Sequence, residues 1–347
     1  MAESQFRSAA ETVLAIPELL ESILVRVDMV TLLVSASRVS KAWKDFMDGS
    51  PAIQQALFFR PISTDVSQAV IHGLGDASWP SVPGEEAAAD QMSERQVINP
   101  LLAKKFESCF FDFGQTYSCH RRANTFYELP WASGPEPAQV VKQYWGGWCQ
   151  VRPEKGDSES ARAQEESRRR FMRRGASWRR MLVSQPPPPS LGYMRFDICN
   201  LTLEGQKVLS SLIKPKSETS FVGLRMGELY DIVQHQAGHH GRHSLWFRVL
   251  WGKPTGSFAF KHVEDTFERL MSQTSVVVEF MHADDTTLVN HPQDPADAKV
   301  FDAMFRCEDY KEVEIDTEET GADAVEFPNF NPRYVVWHWI LEDDERV

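Results

Sequence analysis

Residues 14 to 44 read LAIPELLESILVRVDMVTLLVSASRVSKAWK. Apolar residues recur in this stretch at intervals of three and four, which places them on one face of a helix. The first such face consists of Leu20, Ile23, Leu24 and Val27. Pro17 fits the first turn of this helix, because the first helical N–H groups lack an intrahelical partner and proline has none to leave unsatisfied. The pattern therefore predicts a helix that begins near Pro17.

Further short helices are expected in the residues that follow. Asp28 or Thr31 can cap the second helix, and Gly49 ends the third. Ser50 followed by Pro51 is typical of the cap and first position of a fourth. Their apolar faces carry Leu32, Leu33, Ala36 and Val39 in the second, Trp43, Phe46 and Met47 in the third, and Ile53, Ala56 and Leu57 in the fourth.

These short helices carry more apolar surface than they can bury among themselves, because folding units this small are marginal alone. Full withdrawal from water contributes about 1.5–3 kcal/mol for each large apolar side chain. The side chains concerned are Leu20, Ile23, Leu24 and Leu32. Two interpretations fit this pattern: the apolar faces pack on the rest of the chain, or a second polypeptide covers them.

The order of the residues resembles the F-box motif. The resemblance is carried by Leu14-Ala15-Ile16-Pro17-Glu18-Leu19-Leu20, Ile23-Leu24, Leu32-Leu33 and Arg38-Val39-Ser40-Lys41-Ala42-Trp43-Lys44. It implies a three-helix domain that docks on a Skp-type adaptor. The adaptor contacts that it implies are Ile16, Pro17, Leu19, Leu20, Ile23, Leu24, Leu32 and Leu33, and the residues that it implies as the domain's own core are Val39, Trp43 and Phe46.

The sequence departs from the F-box pattern at two places. Val27-Asp28-Met29 stands where many members have a Leu-Pro pair, and Ile16 stands where Leu is commoner. Outside the motif, three stretches are similar to filamentous-fungal F-box proteins, so that the resemblance covers most of the chain. These stretches are residues 50–59, residues 99–102, and residues 176–183 with Pro186-Pro187.

The resemblance implies a substrate receptor without bond chemistry of its own. Through the adaptor, such a receptor joins a cullin-RING ligase and raises the effective concentration of a target's lysines near the ubiquitin-loaded enzyme. The target is not identified by the sequence. An F-box protein that acts with the adaptor outside a ligase is the alternative within the same class.

The whole chain predicts an α+β fold in three parts. Residues 12–59 are expected to form the F-box, residues 60–185 a helical and irregular linking region, and residues 190–347 a mixed α/β region with a small sheet that binds the target. In the last part, residues 244–251 alternate as a strand does and residues 263–271 have helical spacing. Residues 275–281 follow as another strand. Strand, helix and strand in this order predict a parallel crossover.

Composition and charge restrict the class of protein. The net charge is -12, with acidic residues concentrated after Glu308, which argues against nucleic acid as the main partner. The five cysteines show no C-x-x-C spacing, as expected in a reducing compartment. No apolar run approaches the ~20 residues that span a bilayer, and Pro17, Glu18 and Glu21 interrupt the first one. We expect a cytoplasmic or nuclear protein with no membrane partner.

Two polar clusters offer other functions. Four histidines lie within nine residues, and His239 and His243 have the i, i+4 spacing of helical metal ligands. A metal-dependent enzyme is therefore the alternative from another class, although Gly238 and Gly241 favour a loop and no metalloprotease Glu follows. The histidines are His235, His239, His240 and His243.

The second cluster is basic and lies between Arg168 and Arg180. It fits a surface paired with the preceding Glu159, Glu165 and Glu166, a nuclear localisation signal or a phosphate site, and the first is favoured. No nucleophile motif, P-loop or dinucleotide glycine pattern occurs, so that no catalytic residue, metal ligand or cofactor is predicted.

Overall fold

The structure, a computed structural model, describes residues 9–62, 96–111, 121–122, 141–144, 147–150, 166, 173–198, 207–215, 223–239, 244–252, 261–283 and 313–321. Helices and small sheets both occur among them, so that the fold is α+β as predicted. The chain divides into two compact units. The first contains Met1–Lys105, Arg180–Pro187 and Ser217–Gly223, and the second contains Phe106–Arg179, Pro188–Lys216 and Leu224–Val347. The three sequence-based domain boundaries stay a prediction.

The elements follow one another along the chain. The helices are α1 Ala9–Leu14, α2 Pro17–Leu24, α3 Met29–Val34, α4 Lys41–Gly49, α5 Pro51–Ala56, α6 Pro100–Phe110, α7 Ser177–Arg180, α8 Met226–His239 and α9 Lys261–Met271. The strands are β1 Val97–Ile98, β2 Arg121–Arg122, β3 Val141–Tyr144, β4 Gly147–Gln150, β5 Ser184–Gln185, β6 Leu191–Ile198, β7 Lys207–Ile213, β8 Ser244–Trp251, β9 Val276–Ala283 and β10 Glu318–Gly321.

Polar side chains cap the short helices of the first unit. The Asp28 carboxylate accepts from the Thr31 N–H at 2.9 Å, and hydrogen bonds from Thr31 lower the pKa of this carboxyl below its usual value. Ser40 caps α4 by accepting from the Trp43 N–H at 3.1 Å. Ser50 caps α5 as predicted, with Pro51 at the first helical position. These caps fix where α3, α4 and α5 begin.

The second helix ends earlier than the sequence pattern predicts. α3 stops at Val34, and a 3-10 turn occupies Ala36–Arg38. The Ser37 hydroxyl donates to the Leu33 carbonyl at 2.8 Å, which offers that carbonyl a partner other than a helical N–H. The Val39 N–H accordingly donates to the Ala36 carbonyl three residues back. Because a 3-10 turn has about three residues per turn, it rotates Val39 away from the face that carries Leu32.

The core of the first unit joins the helices to one another. Its buried members are Leu20, Leu24, Leu32, Ala36, Met47, Ile53 and Leu57. Trp43 and Phe46 are half-buried and pack against this cluster. The same unit contains the antiparallel pair β1–β5 and the start of α6, where the Asn99 side chain accepts from the N–H groups of Leu101 and Leu102. Asn99 therefore caps the start of α6, and Pro100 occupies its first position.

The second unit contains a six-stranded sheet in the order β10-β7-β6-β9-β8-β2. Of its neighbouring strands, β6 and β9 are parallel and the other pairs are antiparallel. Helix α9 packs on one face of the sheet through Val263, Phe267 and Leu270. The strand residues that meet them are Met194, Phe196, Val208, Leu250 and Val277. A hairpin of β3 and β4 forms a separate two-stranded sheet.

The predicted parallel crossover through residues 244–281 is wrong. β8 and β9 are direct antiparallel neighbours, with Trp251 opposite Val276. The Gly252 N–H donates to the Ser275 carbonyl at 3.3 Å, so that the connection containing α9 leaves and re-enters the sheet at the same end. The parallel partner of β9 is β6, more than sixty residues earlier in the chain.

Candidate functional site

Helix α2 has two apolar faces. Leu20 and Leu24 are 5% and 2% exposed and point into the core of the first unit. Ile16, Leu19 and Ile23 are 42%, 43% and 42% exposed. Their i, i+3, i+7 spacing places these three on one side of the helix, and they are called the outer stripe below.

Local sequence explains why the outer stripe begins at Ile16. Ile16 has extended backbone angles (φ -90°, ψ 113°) and its carbonyl accepts the first helical hydrogen bond, from the Leu20 N–H at 3.0 Å. Pro17 follows at the first helical position, where it leaves no unsatisfied donor. Glu18 in the first turn has the charge that the helix N-terminus favours. These local features start α2 at Pro17 and place Ile16 immediately before its first turn.

A hydrogen bond ties α2 to α5. The Ser50 hydroxyl donates to the Glu21 carboxylate while it accepts from the Ile53 N–H at 3.2 Å. Leu20 and Leu24, the inner residues of α2, lie in the same buried cluster as Ile53 and Leu57. Because both the polar and the apolar contacts join the same two helices, they fix the rotation of α2 and keep the outer stripe outside.

The eight residues implied as adaptor contacts fall into two groups. Ile16, Pro17, Leu19 and Ile23 are exposed, whereas Leu20, Leu24 and Leu32 are buried and Leu33 is half-buried. In the free chain the buried group holds the helices together and has little surface to offer a partner. The contact role of all eight stays a prediction, and the accessible surface for it is the outer stripe with Pro17 and the exposed part of Leu33.

The three residues implied as the F-box core also differ in burial. Trp43 and Phe46 border the buried cluster. Val39 is 61% exposed, because the 3-10 turn before it rotates its side chain outward. In the free chain Val39 therefore does not bury its side chain between the helices.

Exposed valines on α3 were missed by the sequence reasoning. Val30 and Val34 are 51% and 54% exposed and lie four residues apart on one face of the helix. Their i, i+4 spacing was the available signal, but the interpretation followed Leu32 and Leu33, which lie between them in the sequence. Apolar residues accessible to a partner are thus present on α3 as well as on α2.

The structure describes the side chain of one member of the histidine cluster, His235. The half-buried His235 accepts a hydrogen bond at Nδ1 from the Val313 N–H at 3.4 Å. His240 and His243, and the side chain of His239, lie outside the described residues. Within the described part of the chain, no group of three or more His, Cys, Asp or Glu residues could hold a metal ion.

The described end of the arginine cluster contacts aromatic and acidic side chains that the sequence reasoning did not link to it. Arg179 pairs with Asp231 at 2.7 Å, and its guanidinium lies 4.9 Å from the Trp178 ring and 5.2 Å from the Tyr230 ring. Both members of the ion pair are largely buried. Arg179 therefore stabilises the packing of α7 on α8. The proposed partners Glu159 and Glu165 lie outside the described residues.

Comparisons with known proteins gave no match: no family model, no curated protein and no solved structure matches this chain. Among the described residues, no helix combines the length and the apolar character that crossing a membrane requires. The predicted cytoplasmic or nuclear location stays a prediction.

Proposed function

We propose that this chain is an F-box substrate receptor that docks on a Skp-type adaptor and presents a target protein to a cullin-RING ubiquitin ligase. In this proposal, α2, α3 and α4 are the three F-box helices. The single observation that carries it is the outer stripe: Ile16, Leu19 and Ile23 are exposed to nearly the same extent on a helix whose adjoining face fills a core. The order of the surrounding residues, which resembles the F-box motif, supports the choice of partner.

The energetics of the outer stripe fit a contribution to an interface. Full burial of such a side chain contributes about 1.5–3 kcal/mol, so that covering the roughly 40% left exposed contributes about 0.6–1.3 kcal/mol for each residue. Three residues then supply about 2–4 kcal/mol, or one to three orders of magnitude in the dissociation constant. A stable complex needs a larger contact, to which Pro17 and the accessible part of Leu33 add in this proposal.

The proposed receptor acts by proximity. A target held by the C-terminal region stays near the ubiquitin-loaded enzyme, so that transfer to its lysines becomes an effectively intramolecular step. No residue of this chain needs to act as a nucleophile or a general base.

The test replaces Leu19 and Ile23 together by Asp in the full chain. Because both side chains are exposed, we expect the helices to remain folded by circular dichroism while co-purification of a Skp-type adaptor is lost. Binding of the adaptor would bury the two new carboxylates in the interface without partners, which is costly. The control is Val39→Asp, which adds one carboxylate at an exposed apolar residue outside α2 and outside the implied contacts.

Adaptor binding at wild-type strength by the Leu19→Asp, Ile23→Asp chain would contradict the proposed interface. Recruitment of a cullin through the bound adaptor is measured in the same experiment. Adaptor binding without cullin recruitment would replace the ligase function by the alternative in which the pair acts outside a ligase.

A further inference from the structure

A segment from far along the chain completes the first unit. Residues Arg180–Pro187, called the strap below, belong to the same compact unit as α1 to α5, more than 120 residues after α5 ends. The central residues of the strap are buried, and three of them are apolar residues with no exposed surface. These residues are Met181, Leu182, Val183, Ser184 and Gln185.

The strap binds the chain just after α5. The Leu182 N–H donates to the Phe58 carbonyl at 2.7 Å. The Gln185 side-chain amide donates to the carbonyls of Gln55 and Arg60, at 2.8 Å and 3.2 Å. Buried backbone carbonyls that lose such partners are costly, so that the strap and the end of α5 depend on each other.

The other edge of the strap pairs with the residues before α6. β5 of the strap is antiparallel to β1, and the Asn99 N–H donates to the Val183 carbonyl at 3.0 Å. The Asn99 side-chain amide donates to the Leu182 carbonyl at 3.1 Å. The strap is therefore held by hydrogen bonds from two separate stretches of the same unit.

The turn that the strap contacts has a strained backbone. Phe58 is buried with φ +58°, in the left-handed region that residues other than glycine rarely adopt. Such a conformation persists only where its surroundings fix it. Here the fixing contacts include the Leu182 hydrogen bond to the Phe58 carbonyl and the Arg180 guanidinium, 5.1 Å from the Phe59 ring.

Contacts continue from this turn to α2. Leu57 and Ile53 share a buried cluster with Leu20 and Leu24, the inner residues of α2. The Ser50 hydroxyl at the start of α5 donates to the Glu21 carboxylate of α2. The helix that carries the outer stripe is thus oriented by α5, and the end of α5 is held by the strap.

We infer that docking of the strap controls adaptor binding: the outer stripe is presented to the adaptor only while Leu182 and Gln185 hold the turn after α5. This inference rests on the proposed function. It makes the N-terminal helices a docking module that is complete only when a segment from the middle of the chain is in place. By linkage, adaptor binding must in turn stabilise the docked strap.

The test measures adaptor affinity for full-length chains with and without substitutions in the strap. Leu182→Asp with Val183→Asp places two charges in the buried strap, so that we expect the strap to undock and adaptor affinity to fall at least about tenfold, in proportion to the docked fraction. Gln185→Ala removes one amide that bonds two carbonyls, and we expect a smaller loss in the same direction. Pro189→Ala, at an exposed position just outside the strap, is the control and should bind as the wild type does.

Hydrogen exchange on the wild-type chain supplies a measurement that does not depend on the variants folding. Adaptor addition should slow exchange of the Leu182 and Asn99 amide hydrogens, which bond to Phe58 and Val183 and are not in the outer stripe. If the wild-type chain binds the adaptor but these two amides exchange at an unchanged rate, or if the Leu182→Asp, Val183→Asp chain binds equally well, the strap has no such control and the proposed function survives. If the wild-type chain does not bind the adaptor, both proposals fall.

Discussion

Adjacent residues of α2 differ in burial, so that substitutions at them should differ in their effect on stability. Leu24 is 2% exposed and its neighbour Ile23 is 42% exposed. We expect Leu24→Ala to lower the free energy of unfolding by about 2–5 kcal/mol, because it removes a buried side chain and leaves a cavity. We expect Ile23→Ala to change it by less than about 0.5 kcal/mol, as is usual for an exposed position. Urea unfolding followed by circular dichroism measures both, and similar losses in the two chains would contradict the assignment of inner and outer faces.

The sequence predicted the helix that carries these residues but not which residues face out. Leu20, Ile23 and Leu24 fit one apolar stripe at i, i+3, i+4, and the spacing alone does not say which side of a doubly apolar helix meets the core. That choice is made by α5, through the cluster around Ile53 and the hydrogen bond of Ser50 to Glu21. Neither contact is local to α2, so periodicity could not reveal it.

At the scale of elements, β8 and β9 are joined by a buried ion pair. Arg248 and Glu279 lie directly opposite each other in the antiparallel register and their side chains pair, with 7% and 1% exposed. We expect Glu279→Ala to cost about 3–5 kcal/mol of unfolding free energy, because Arg248 would keep a buried charge without its carboxylate.

The control for this prediction removes both charges. Arg248→Met combined with Glu279→Leu keeps the volume and leaves no buried charge, so that we expect most of the lost stability to return. Urea unfolding of Arg248→Met, of Glu279→Leu and of the double variant completes the cycle. A double variant as unstable as Glu279→Ala would show that the cost comes from packing rather than from the unpaired charge.

Element boundaries could be predicted where their causes are local. Ser50-Pro51 and Asn99-Pro100 place a capping side chain next to a proline, and both mark helix starts in the structure. The sense of strand pairing has no such local cause. β8 and β9 are antiparallel because the chain returns at the end marked by the hydrogen bond of Gly252 to Ser275, which a pattern of strand, helix and strand does not encode.

The compact units of this protein do not follow the order of the chain. The first unit takes Arg180–Pro187 from far beyond its helices, and the sequence reasoning assigned most of those residues to a linking region. Residues 181–183 read as a short apolar run, which is compatible with many burial sites. The hydrogen bonds of Leu182 and Gln185 identify the site that these residues fill.

This organisation predicts that the N-terminal residues do not reach full stability alone. We expect residues 1–105 joined by a flexible linker to residues 180–187 to unfold cooperatively in urea, with a midpoint about 1–3 M above that of residues 1–105 alone. The difference comes from Met181, Leu182 and Val183, which are fully buried and each contribute about 1.5–3 kcal/mol before the entropy of ordering them is subtracted. The joined chain with Leu182→Asp is the control and should resemble residues 1–105 alone. Equal midpoints for all three chains would mean that the N-terminal helices are complete without the strap.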